Sequence, residues 1–195
     1  MLSATVRFHR HRFGQDAQPA TSTATSRTRP GSVRFTGIFQ VGTTVFGLEE
    51  AGLMVRGSGV VRALEDAYSA IQVRHGMPDV FVSINSTEEQ AYGLASPGHV
   101  AITYRGLQEG SLLIMGVLLH EAAHQMNWMR GIDDTTPEQY HRTEFRDAAE
   151  ALGLRPPLKR HHRFGWSTHI MTPETIKQYQ ANISNIDYVL RGGQR

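Results

Sequence analysis

Hydrophobic and polar residues change their period several times along the 195-residue chain, and each change predicts an element. From Ser58, a suitable N-cap, Val61, Leu64, Tyr68 and Ile71 recur at helical spacing until Gly76 and Pro78 interrupt them, which predicts a first helix. "DVFVSIN" (Asp79 to Asn85) alternates apolar and polar residues as a strand does. "AYGLAS" and "HVAITY" (His99 to Tyr104) follow across the turn residues Ser96, Pro97 and Gly98. Together they predict a small three-stranded antiparallel sheet, with "HVAITY" as its exposed edge. An apolar stretch from about Ser111 to Arg130, closed by Gly131, predicts a long helix. In "TTPEQYHRTEFRDAAEALG", Thr136 can cap, Pro137 suits the first helical position, Gln139 can complete a capping box and Gly153 ends the helix. A last helix begins in the same way at "TPET" (Thr172 to Thr175) and runs to about Leu190.

These elements predict an α+β fold: one helix and a small sheet packed on a long central helix, then a further helix and a C-terminal one. Residues 1–57 read as a basic leader rich in Gly, Ser and Thr, with "TSTATSRTRPGS" (Thr21 to Ser32) as a linker. Residues 58–153 read as the folded core, and residues 154–195 as a basic linker with the C-terminal helix. At 39% hydrophobic residues the chain suits one domain with a real core. It has no cysteine, which excludes disulfides, thiolate metal sites and cysteine nucleophiles. Any metal must be held by His, Asp or Glu.

The longest apolar run, "LLIMGVLL" (Leu112 to Leu119), falls short of the roughly 18 residues of a membrane span, so no membrane partner is expected. The expected location is the cytoplasm. An Arg-rich leader is also compatible in composition with organelle targeting. Charge is uneven: residues 1–35 hold six basic groups against one acidic, residues 36–153 seven against fifteen, and residues 154–195 seven against two. The run "LKRHHR" (Leu158 to Arg163) offers Lys159, Arg160 and Arg163, with Arg155 nearby, as contacts for nucleic acid phosphates, although short basic runs are commonly solvated surface.

Candidate chemistry concentrates in "LLHEAAHQMNW" (Leu118 to Trp128). On a helix, residues four apart lie about 40° from one another, so His120 and His124 project from one face and can bind one ion. Glu121 sits about 100° round from His120, where it can hydrogen-bond a water on that ion without ligating it. A catalytic zinc of this kind needs a third protein ligand. His141 and Glu144 both lie on the next predicted helix, three residues apart on one face, and geometry alone does not choose between them. Glu144 has the spacing of thermolysin-like gluzincins.

"LLHEAAHQMNWMRGIDD" followed by "YHRTEF" resembles the SprT-like zinc metalloproteases, which include Spartan. In that family the third ligand is a histidine within a segment of the form His-x-x-Glu-Phe, and here His141-Arg142-Thr143-Glu144-Phe145 has that form. The resemblance covers about residues 58–153, and "GWSTHIMTPET" resembles a segment that follows the core in some bacterial members. It implies a zincin-like fold, one Zn2+ per chain bound by His120, His124 and His141, and Glu121 as general base and acid. It further implies hydrolysis of protein or peptide substrates, including proteins attached to DNA. The cysteine zinc ribbon carried by many members is missing.

Three functions therefore stand side by side: a DNA-linked zinc protease, a zinc protease with no DNA link, and a non-catalytic zinc-stabilised binding module. Tyr104, Tyr140 and Arg142 are available as oxyanion donors but read as structural. His75, His99, His161, His162 and His169 lack ligand spacing, and Met126 and Trp128 read as core packing.

Overall fold

A computed structural model of the chain describes residues 48–85, 91–167 and 169–193, with side chains from residue 59 onward. The leader and the linker at Thr21 to Ser32 lie outside these residues as far as residue 47. Six helices and five strands follow one another as α1 (Leu48–His75), β1 (Phe81–Asn85), β2 (Gly93–Ser96), β3 (His99–Thr103), α2 (Tyr104–Gln108), α3 (Ser111–Met129), α4 (Thr143–Ala151), β4 (Leu154–Arg155), β5 (Ile170–Met171), α5 (Pro173–Gln178) and α6 (Gln180–Leu190). The α+β expectation holds. Ser58 is an interior residue of α1, because the helix starts at Leu48. No helix among the described residues is long and apolar enough to cross a membrane.

α3 is the centre of the molecule. Fifteen of its nineteen residues are buried, as expected of a helix that is apolar on all sides and covered by other elements. It packs on β2 and β3, on α1 and on α4 and α6. Its end is a Schellman turn: Gly131 has φ 69°, its N–H bonds to Trp128 O at 3.0 Å, and the Ile132 N–H bonds to Asn127 O at 2.9 Å.

The sheet is mixed, which corrects the antiparallel expectation. Its order is β1-β3-β2. β2 and β3 form an antiparallel hairpin from Gly93↔Ile102 to Ser96↔His99, while β1 runs parallel to β3 from Phe81↔His99 to Asn85↔Thr103. "HVAITY" is therefore the middle strand and not the edge. The pattern fits the place: Val100, Ala101, Ile102 and Thr103 are all buried, as in a strand covered on both sides. Gln125 of α3 fastens the hairpin, since its Nε2 donates to Ser96 O at 2.7 Å and to His99 O at 3.1 Å, while its Oε1 accepts from Gly98 N at 3.0 Å.

The helix expected from Thr136 is also corrected. Residues 135–142 form a looped-back turn, with Gln139 at φ 69°, and α4 starts at Thr143 with Arg142 as N-cap. The backbone around His141 is engaged elsewhere: its N–H bonds to Phe164 O and its carbonyl accepts from Trp166 N, both at 3.1 Å, and Arg142 N bonds to Asp134 O at 2.8 Å. A helix would need those same groups internally. At the far end Thr172 caps α5, accepting from Thr175 N, but the expected single helix breaks at Tyr179 before α6. α6 returns along α1, and His75 Nε2 lies 3.1 Å from the Tyr179 hydroxyl.

Candidate metal centre

The apolar first half of α3 anchors the helix, and its second half carries the polar groups inward. His120, Glu121 and His124 are between 1% and 3% exposed, and His141, from the turn before α4, is 3% exposed. Polar groups are this deeply buried only where they have partners or a ligand. The rings of His120, His124 and His141 form an equilateral triangle with all three centroid separations at 5.1 Å. One nitrogen from each lies within 4.8 Å of the other two. The three histidines singled out in the sequence are thus brought together as a set able to hold one ion.

Neighbouring groups decide which ring nitrogens are left to face an ion. Asp134, fully buried, accepts from His124 Nδ1 at 3.0 and 2.9 Å through its two carboxylate oxygens, and its Oδ2 also accepts from Asn127 Nδ2 at 2.9 Å. His141 Nδ1 lies 3.2 Å from the carbonyl of Gln139. Both histidines are left with Nε2 as the atom able to ligate an ion, an arrangement like that of metal-bound histidines steadied by a carboxylate or carbonyl. Burial, and after it the neighbouring histidines, pushes His120 and His141 well below the usual imidazole pKa. They are neutral, the form that binds metal.

Phe145, the first buried residue of α4, lies 4.5 Å from each of the three rings. It therefore sits on the axis of the triangle and closes one side, leaving the opposite side to an ion. Trp128 stacks on His124 at 5.7 Å, so it belongs to the site as well as to the core.

Glu121 is approached from two directions. β2 passes so close that a Cβ on Gly93 would lie 2.8 Å from Glu121 Oε1 and overlap Val117 Cγ1. Only glycine lets the strand lie there. From α1 comes Tyr68, 1% exposed, whose hydroxyl resists ionisation through burial and then through the charge of Glu121.

The segment after β4 forms a wall that sequence reasoning missed. His161 and Gly165 exchange two backbone hydrogen bonds of 2.8 Å, and Gly165 bridges to His141. Farther along, His169 is 5% exposed, with its ring 6.2 Å from His120 and 5.2 Å from Phe145. It is not isolated, although it stands outside the ligand triangle. The segment "GWSTHIMTPET" was the available signal. Asp134 was missed too; its only signal was an Asp pair in the loop after the histidine helix.

Other expected residues stand apart. Glu144 is exposed in the first turn of α4 and is not in the cluster. Tyr104 is 60% exposed. Arg142 is exposed and donates to Asp133 O at 3.0 Å, and Tyr140 is half-buried in the turn. His99 bonds with Ser83 Oγ at 2.8 Å, and His161 Nδ1 accepts the N–H groups of Arg163 and Phe164 at 3.2 Å. Compared with protein-family models, curated proteins and solved structures, the chain has no significant match.

Proposed function

We propose that the chain is a zinc-dependent endopeptidase of the SprT-like type, with His120, His124 and His141 holding one Zn2+ and Glu121 as general base and acid. The observation that carries this reading is the buried equilateral triangle of imidazoles with a glutamate directly after its first member. The donor set fits zinc, which takes three nitrogen ligands in catalytic sites and keeps a fourth position open. A zinc bound there would acidify a water and polarise a peptide carbonyl.

The chain's own residues do the rest. Asp134 and the Gln139 carbonyl hold two ligands in one tautomer and orientation. Glu121 takes the proton of the attacking water at its carboxylate and returns it to the leaving amine. β2 is an edge strand beside Glu121, so the substrate would lie extended along it, adding main-chain hydrogen bonds to the sheet. The exposed basic side chains of Arg155, Lys159, Arg160 and Arg163 extend the reading to proteins associated with DNA.

A second reading, a non-catalytic zinc-stabilised module, is favoured by the near-complete burial of the same triad. The gluzincin variant loses support, because Glu144 is exposed and outside the cluster. Glu121→Gln separates the two that remain. It keeps the shape of the side chain but cannot accept a proton, so the variant should retain one zinc per chain and its melting temperature while proteolysis of an unfolded substrate falls by about 10²-fold or more. Equal cleavage by variant and wild type would sink the protease reading.

A further inference from the structure

We propose that Asn127 is a positioning residue of the metal centre, clasping the chain on both sides of His141 and so fixing where that ligand stands relative to His124. His124 belongs to α3, whereas His141 comes from the turn of residues 135–142, which leads at once into α4. Spacing along α3 cannot set the distance between those two rings. It depends on what ties the returning segment to α3, and Asn127 supplies a tie at each end of it.

Asn127 follows His124 by three residues, so the two share a face of α3. It is buried. Its Nδ2 donates to Asp134 Oδ2 at 2.9 Å, before His141 in the chain, and to the Glu144 carbonyl at 3.2 Å, just after it. A carboxylate oxygen and a carbonyl oxygen both accept, which fixes the amide with its nitrogen toward them. The same Asp134 oxygen accepts from His124 Nδ1 at 2.9 Å, and the Asp134 carbonyl accepts from Arg142 N, beside His141, at 2.8 Å. One amide group thus joins the support of one ligand to the segment that delivers another.

The chemistry of the place calls for an amide. An aspartate would lack the donor and set a second carboxylate against Asp134, and a leucine would withdraw a hydrogen bond from a carboxylate that is fully buried. Packing alone makes no such demand, since most of the buried residues of α3 are apolar. Outer partners of metal ligands set ligand orientation. Here one outer group spans the supports of two ligands.

This inference rests on the metal-binding half of the proposed function and not on proteolysis. The test is affinity of the full chain for Zn2+ and Co2+, by titration and by competition with a chelator, beside the Co2+ absorption bands and the melting temperature of the metal-free protein. Asn127→Ala should weaken binding of both ions about 10-fold or more and alter the Co2+ bands. Thr175→Val is the stability control: it removes the hydrogen bond of 2.7 Å from Thr175 Oγ1 to the Gly153 carbonyl, outside the ligand cluster. It should lower the melting temperature and leave affinity and bands at wild type. His141→Ala should cost the Asn127→Ala chain less affinity than it costs the wild type, because Asn127 acts through His141. If Asn127→Ala does not fold without metal, Asn127→Ser takes its place in every comparison. Wild-type affinity and bands in the Asn127 variant overturn the inference alone, and so do equal losses from His141→Ala in the two backgrounds. Affinity that falls in step with melting temperature in the Asn127 and Thr175 variants alike overturns it too, since stability then accounts for the loss. A wild-type chain that binds neither ion overturns the metal reading and the inference with it.

Discussion

At the scale of single residues, His141 and Glu144 divide the candidate site most sharply. Both stand three residues apart in a segment that read as one helical face, but His141 sits in an extended turn with its ring against the other two histidines while Glu144 points outward from α4. His141→Ala should remove most bound zinc, and Glu144→Gln should leave about one zinc per chain by elemental analysis; the reverse would restore the gluzincin assignment. The helix pair His120 and His124, with Glu121, was legible because spacing on one α-helix sets geometry without help from the rest of the fold. Asp134 and His169 were not, since their partners lie 10 residues away across a loop or on a distant segment. The buried histidines also set a pH dependence. Burial holds His120 and His141 well below the ordinary value of 6.5 and His169 at about 4. The unfolded chain therefore binds more protons than the folded one as pH falls below 6.5, and stability drops across the window down to about 4. His169 alone accounts for roughly 3 kcal/mol of that loss. Melting temperature of the metal-free protein should be level above pH 7 and fall steeply from pH 6.5 to 4.5. A flat profile over that range would show that these rings are not held neutral.

At the scale of elements, period told what each segment is and failed to tell what it lies beside. Alternation marked β1, β2 and β3, yet sequence adjacency suggested a meander, whereas the tight turn at Pro97 and Gly98 pairs β2 with β3 and gives β1 the opposite edge. Capping residues at Thr136 and Gln139 promised a helix that tertiary hydrogen bonds to Phe164, Trp166 and Asp134 prevented. The same bonds make the segment from His161 to Gly165 a support for the third histidine. Gly165 has φ 63°, and a Cβ there would overlap His141 O and lie 2.9 Å from its carbonyl carbon. Gly165→Ala should thus cost about 1–2 kcal/mol in backbone strain alone and also displace His141, lowering both melting temperature and zinc affinity. Gly192→Ala is the control: φ is 83° but no atom lies within 4 Å, so it should carry the strain while leaving zinc affinity intact. Equal effects of the two variants on zinc affinity would remove the segment from the site.

At the scale of the whole molecule, charge is divided between an acidic middle and a basic C-terminal part, with fifteen acidic against seven basic groups over residues 36–153 and two against seven over residues 154–195. Such a division gives one region of the surface a field that attracts polyanions, provided its cations are exposed and close together. Arg155, Lys159, Arg160 and Arg163 meet the first condition, and Lys159, Arg160 and Arg163 lie within a stretch of five residues after β4. Duplex DNA binding through this loop would release counterions, so the logarithm of the affinity should fall with the logarithm of salt by about 0.9 for each phosphate neutralised. Replacing the four residues with Ala should flatten that slope by up to about 3 to 4 while bound zinc stays at the wild-type level, because none of the four belongs to the ligand cluster. Fluorescence anisotropy of a labelled duplex between low and physiological salt reads the slope directly. No binding by the wild-type chain at low salt, or an unchanged slope in the quadruple variant, would reject this loop as a nucleic acid contact. A protease without DNA dependence would then be the better account of the metal site.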